Sequence, residues 1–156
     1  MSGAPGGGAI PGIDFRDTAG GLEAPQLEGF FAGWRRAPSP AERLAVLRRS
    51  DVVVVAWDRR SGALVGFVTA LTDGVLCASI TLLEVLPSHR GRGIGGALVR
   101  RVVDRLGGLY ALDVVCAPEL LPFYASCGMA PGVAAVRRNY GAPPGGGDDT
   151  AEPGTP

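Results

Sequence analysis

The stretch "VLPSHRGRGIGGALVRRVV", Val85–Val103, decides the fold. Strand-forming residues stop at a proline, a turn rich in glycine and arginine follows, and the turn runs into an amphipathic pattern. Gly91, Gly93 and Gly96 spell G-x-G-x-x-G, the dinucleotide fingerprint. Taken one residue earlier, from Arg90, the same letters spell R-x-x-G-x-G, a different phosphate cradle. Beyond the glycines, Ile94, Leu98, Val102 and Leu106 recur at four-residue steps, with Arg100, Arg101, Asp104 and Arg105 mainly on the other side. That spacing predicts a helix packed on a sheet.

The dinucleotide alternative has support, because the motif follows a strand and opens a helix. Asp113 also stands about 20 residues on, where an acid would meet a ribose hydroxyl. Its context fails, however. "LPSHR" intervenes between strand and first glycine, the chain before it reads as a meander, and too little follows for further strand–helix–strand units. The second alternative fits the whole segment. Successive amides from Arg90 to Gly96 can line one concavity at the helix N-terminus, where the helix dipole adds positive potential. Gly91, Gly93 and Gly95 leave room for a pyrophosphate to approach the backbone, and Arg90 and Arg92 supply charge.

Working outward, "IDFRDT" (Ile13–Thr18) alternates as a first strand, and Pro25–Trp34 carries apolar residues at helical spacing. "SPAERLAVLRRS" is a marked helix: Ser39 at the N-cap, Pro40 in the first turn, Glu42 completing a capping box, and Leu44, Val46 and Leu47 facing a core. Val52–Trp57 and Leu64–Leu71 flank the turn "DRRSGA" as an antiparallel hairpin, and a further strand spans Val75–Val85. Tyr110–Val115 is the next strand, "PELLPFYASCGM" a short helix ending at Gly128, and "GVAAVRRNY" (Gly132–Tyr140) a last strand. Residues 1–12 and 141–156, rich in Gly, Pro and Ala, are expected to be flexible tails around one domain at 13–140.

Composition narrows the function. Fifteen basic and fifteen acidic residues cancel, which argues against a general nucleic-acid binder. All the basic residues are arginine, and without lysine neither a Walker A loop nor a Schiff-base enzyme is available. Cys77, Cys116 and Cys127 show no metal or redox spacing, so reduced thiols, no metal and a cytoplasmic setting are expected. No apolar run reaches the ~18 residues of a membrane span, and no signal peptide is evident.

"LEVLPSHRGRGIGGALV" resembles the acetyl-CoA motif of the GCN5-related N-acetyltransferase (GNAT) family, and "LPFYASCGM" resembles that family's second signature. The two stand in family order with a strand between them, and the resemblance covers about residues 51–140. It implies a mixed α/β (α+β) fold: a mainly antiparallel sheet flanked by helices, splayed between its fourth and fifth strands to form an acyl-CoA cleft. It further implies an acetyl-CoA-dependent transfer of an acetyl group to a primary amine, a small molecule or a peptide N-terminus, by direct attack in a ternary complex. A non-catalytic acyl-CoA-binding sensor of the same fold is the alternative, and monomer and homodimer are both open.

The resemblance assigns Arg90, Gly91, Arg92, Gly93, Ile94, Gly95 and Gly96 to the pyrophosphate, and backbone groups of Leu83, Glu84 and Val85 to the pantetheine arm. The N–H of Val85 would face the thioester oxygen. Tyr124 matches the tyrosine that protonates the departing thiolate. Asp113 and Glu84 are competing general bases, Asp113 with a salt bridge to an arginine as its structural counterpart, while His89 is expected to face solvent. Two departures from the family stand out. Ala117–Pro118 occupies the place of a pantetheine-binding Asn, and Met129 replaces an aromatic residue.

Overall fold

The computed structural model describes residues 8–142. One five-stranded sheet runs in sequence order: β1 (Ile13–Arg16), β2 (Val52–Asp58), β3 (Leu64–Thr72), β4 (Cys77–Val85) and β5 (Ala111–Val114). The first three pairings are antiparallel and β4 pairs β5 in parallel, so the expected mixed, mainly antiparallel sheet is present. Helices α1 (Pro40–Arg49), α2 (Ile94–Leu106) and α3 (Leu121–Ala125) complete it. Crossing from β4 back to a parallel β5 needs a long connection, and α2 supplies it.

Val52–Ala56 is uniformly apolar because both sheet faces are covered. Val52, Val54 and Ala56 join Ile94, Leu98, Val99 and Val102 of α2 and Tyr124 of α3 in one core. Val53 and Val55 face a second core with Phe67, Leu27, Phe30, Phe31 and Leu47. Each fully buried Leu or Ile in these layers contributes about 1.5–3 kcal/mol, so the α2 face is a principal source of stability. The α1 capping box is formed: the Glu42 carboxylate accepts from the Ser39 N–H at 2.6 Å, and the Ser39 hydroxyl accepts from the Glu42 N–H at 3.3 Å.

Three expectations change. Pro25–Trp34 is not a helix: a 3-10 turn at Ala24–Leu27 gives way to a loop in which Gly29, Phe31 and Gly33 all take positive φ. Its apolar spacing serves burial of Phe30 and Phe31 against Phe67, at ring separations of 5.1 and 6.0 Å. Gly132–Tyr140 pairs with nothing among the described residues, and Val133, Val136 and Tyr140 are exposed. Strand propensity is expressed only against a partner edge, and the end of this segment is held elsewhere, by Arg36 donating to the Gly141 carbonyl at 3.1 Å. Val46 is exposed, since it sits about 100° around α1 from buried Leu47. Ile10 packs on the α2-side core, and the Gly12 carbonyl accepts from the Arg59 N–H at 2.9 Å. The remaining tail residues, 1–7 and 143–156, lie outside the described range.

Strand β4 starts at Cys77 rather than Val75 because Asp73 claims the preceding amides. Its Oδ1 accepts from the N–H groups of Val75, Leu76 and Cys77 at 2.8, 2.7 and 3.0 Å.

Candidate active site

The pairing of β4 with β5 stops at Ile80–Val114. At that level β4 carries a bulge: Thr69 pairs with Leu82 and Ala70 with Ile80, leaving Thr81 as the extra residue. Thr81 and Thr69 hydroxyls share a 2.8 Å hydrogen bond that ties the bulge to β3. From there to Val85, β4 keeps its β3 neighbour and, among the described residues, has no partner on the β5 side. The sheet is forked.

The bulge sets which side chains face which core. Ala78 and Ile80 face α2 before it, and Leu83 and Val85 do so after it. Glu84 therefore points to the opposite face, towards the Phe31–Trp34 loop. The backbone directions follow from one bond beyond the strand, where the Leu86 N–H donates to the Val65 carbonyl at 2.9 Å. In an antiparallel ladder such pairs alternate, so Glu84 exchanges its backbone bonds with Phe67. Leu83 and Val85 turn their N–H and C=O groups into the fork. The expectation that all three residues offer backbone groups there does not hold for Glu84, whose N–H and C=O groups face β3.

Below the fork edge, a 3-10 turn at Pro87–His89 leads into the glycine loop. Gly91 and Gly93 adopt φ of +74° and +81°, left-handed conformations in which an L side chain is strained. Gly93 is the N-cap of α2, and the first intrahelical bond runs from the Ala97 N–H to the Gly93 carbonyl at 3.0 Å. Among the described residues, no acceptor within the chain takes the amides of Gly91, Arg92, Gly93, Ile94, Gly95 or Gly96. That is a run of six donors at the positive end of a 13-residue helix. Ile94 buries its side chain in the core, so only its amide is available. Arg90 and Arg92 are exposed, and Arg90 Nε donates to the Val85 carbonyl at 3.1 Å, joining loop to fork edge. At Gly95 an added Cβ would lie 3.6 Å from the Phe123 ring and 3.7 Å from Val85, so α2, α3 and β4 converge there.

Tyr124 is buried on α3, with its ring edge-on to Phe123 at 5.0 Å. Its hydroxyl has no hydrogen-bond partner among the described residues. Burial, followed by the nearby Cys116 and Cys127, raises its pKa above the usual phenol value, so it stays protonated. The Glu84 carboxyl is partly buried, and desolvation raises its pKa. The Phe31 N–H, Arg90, the Trp34 indole and Arg43 pull the other way without prevailing. Phe31 is the one non-glycine residue with positive φ among those described, and Trp34 lies edge-on to it at 5.1 Å. No local pattern marks this loop's place beside Glu84, because the contact joins segments some fifty residues apart.

Asp113 is not brought to the fork. It pairs in register with Ser79 on the closed part of the sheet, roughly 15 Å of strand below Glu84. It is exposed and makes no salt bridge among the described residues. His89, expected to face solvent, is mostly covered and bonded to Asp58. Met129 packs on the core in the aromatic residue's place, and the three cysteines are free thiols.

A forked sheet with an amide cradle at its mouth is the arrangement that the resemblance to the GNAT family implies, and comparison with known proteins agrees. The family model described as Acetyltransferase (GNAT) family matches residues 22–129, and the chain belongs to that family. A solved structure from Deinococcus radiodurans R1, provisionally assigned as an acetyltransferase, is 41% identical with a TM-score of 0.79, covering 85% of this chain and 92% of that one. Rice (Oryza sativa subsp. japonica) glucosamine 6-phosphate N-acetyltransferase 1 is 37% identical over 95 residues, 56% of this chain and 58% of its own length. Rice serotonin N-acetyltransferase 2, chloroplastic, is 32% identical over 135 residues, 83% of this chain and 67% of its own. The chain spans little more than half the length of the rice glucosamine 6-phosphate N-acetyltransferase 1.

Proposed function

We propose that this protein transfers the acetyl group of acetyl-CoA to a primary amine, by direct attack within a ternary complex. The observation that carries this is the juxtaposition of the open β4 edge with six unclaimed amides at the N-terminus of α2. The amides of Gly91–Gly96 would hold the pyrophosphate, with Arg90 and Arg92 adding charge. The N–H and C=O groups of Leu83 would bond the pantetheine arm as a neighbouring strand would. The Val85 N–H then serves the thioester oxygen, where negative charge develops as the amine attacks. These jobs need no lost Asn, because main-chain groups perform them.

Glu84 is the better general base of the two carboxylates, since it stands beside the fork and Asp113 does not. It would take the amine proton directly or through one water. Tyr124, kept neutral by burial, would return a proton to the coenzyme A sulfur as the thiolate leaves. The place of Glu84 beside the fork supports the catalytic reading over the non-catalytic alternative.

The acceptor is a primary amine in both named rice relatives, one a sugar phosphate and one an aromatic ethylamine, so the screen must span both shapes. Thiol release from acetyl-CoA is followed against amino sugars, arylalkylamines, polyamines and peptide N-termini. Turnover with intersecting double-reciprocal lines is the expected result. Tight coenzyme A binding with no thiol release for any amine would return the non-catalytic alternative. Parallel lines would replace the ternary complex with an acyl-enzyme.

A further inference from the structure

His89 ends the 3-10 turn that delivers the chain into the glycine loop, and its imidazole is committed on both sides. Nε2 lies 3.3 Å from Asp58 Oδ2, and Nδ1 lies 2.9 Å from the Ser88 hydroxyl. Both partners of the ion pair are mostly covered, each side chain only 17% exposed. Asp58 is the last residue of β2 and is itself fixed by the β2–β3 turn. Its Oδ1 accepts from the Arg60 N–H at 2.8 Å, its carbonyl from the Gly62 N–H at 2.8 Å, and its own N–H donates to the Ala63 carbonyl at 2.9 Å. One carboxylate thus uses one oxygen to set a hairpin and the other to hold a residue 31 positions away.

The glycine loop needs such a hold. Gly91 and Gly93 have no side chains to pack, and the six amides donate to nothing within the described chain. At its far end the loop is fixed by Ile94, buried in the core. At its near end the Arg90–Val85 bond only joins the loop to its own strand, and it is exposed. The His89–Asp58 pair is the sheltered side-chain tie to a separate element.

We propose that His89 is a positioning residue for the pyrophosphate site: tied to Asp58, it holds the Arg90–Gly93 segment in the curvature that aims the amide run at the coenzyme. This rests on the assignment of Gly91–Gly96 to the pyrophosphate. The energetic logic is preorganisation, because a loop already curved loses less freedom on binding. The tie acts on the phosphate end of the ligand and not on the β4 edge, so its loss should be felt by ligands that carry the pyrophosphate and by no others.

The test is calorimetric titration of wild type, His89→Ala and His89→Gln with coenzyme A and, at millimolar concentration, with pantetheine, which ends before the pyrophosphate. Melting temperatures of all three proteins are recorded alongside. His89→Ala should weaken coenzyme A about 3- to 10-fold, the net worth of one hydrogen bond, and leave pantetheine unchanged. His89→Gln, whose amide can still reach Asp58, should recover most of the loss. Equal weakening of both ligands would make His89 merely structural, and unchanged coenzyme A affinity would remove the role altogether; either overturns the proposal. A different result marks failure of the underlying assignment: wild type binding pantetheine as tightly as coenzyme A would show that the cradle holds no pyrophosphate, and the proposal would fall with it.

Discussion

Gly66 tests whether the fork depends on close packing behind it. It lies on β3 opposite Val85, under the first turns of α2. A Cβ at this position would sit 3.1 Å from the Glu84 carbonyl oxygen, 3.3 Å from Leu98 Cδ1 and 3.4 Å from Ile94 Cγ2. The nearest of these is backbone, which cannot rotate away as a side-chain tip can. Gly66→Ala must therefore push β4 and α2 apart by a few tenths of an ångström. Overpacking of this kind costs about 1–3 kcal/mol, against which the stiffer unfolded chain returns about 0.4–1 kcal/mol. The balance is a loss of about 0.5–2 kcal/mol, or roughly 2–6 °C in melting temperature for a domain of this size. Thermal unfolding followed by circular dichroism measures it, with Gly108→Ala as control, since nothing lies within 4 Å of a Cβ there. Because the strain falls on the strand that bears the fork, the acetyl-CoA KM should also rise. A Gly66→Ala protein melting at or above wild type, or a control losing as much, would refute the close-packing argument.

Other outcomes follow from the site. Glu84→Gln should cut kcat by about 10²–10⁴, the usual worth of a general base, with coenzyme A affinity retained. The raised pKa of Glu84 has two consequences of opposite sign. Activity should rise with pH through the window between the ordinary carboxyl value and the elevated one, as the base ionises. Folding stability should fall across that window, because the unfolded chain gives up this proton more readily than the folded one. Glu84→Gln should therefore remove the acid limb of the rate profile and melt no lower than wild type at neutral pH. Tyr124→Phe should slow turnover most for the least acidic leaving thiols, read from a series of acyl donors, while binding holds. Ser39→Ala, far from the cleft, should cost about 1 kcal/mol in thermal unfolding and leave the acetyl-CoA KM alone.

The sequence by itself determined the glycine loop, the helix after it and the order of strands and helices from Pro40 through Tyr124. Those features are local: a four-residue apolar step, a capping box at Ser39, and glycines at Gly91 and Gly93 that the observed positive φ requires. Sequence alone went wrong where a pattern depends on what lies opposite. The apolar spacing of Pro25–Trp34 suits burial against Phe67 as well as it suits a helix, and three positive φ angles end any helix there. Gly132–Tyr140 has strand-like composition without a paired edge among the described residues. Tertiary structure alone separated the two carboxylates in space. The bulge at Thr81 reverses the alternation of β4, sending Glu84 towards the Phe31 loop and the backbone of Leu83 and Val85 into the fork, while the register of β5 leaves Asp113 on the closed side. It also decided His89, whose partner at the end of β2 no local pattern could name. A register and a bulge are set by pairing between distant segments, and pairing is what a one-dimensional string does not contain.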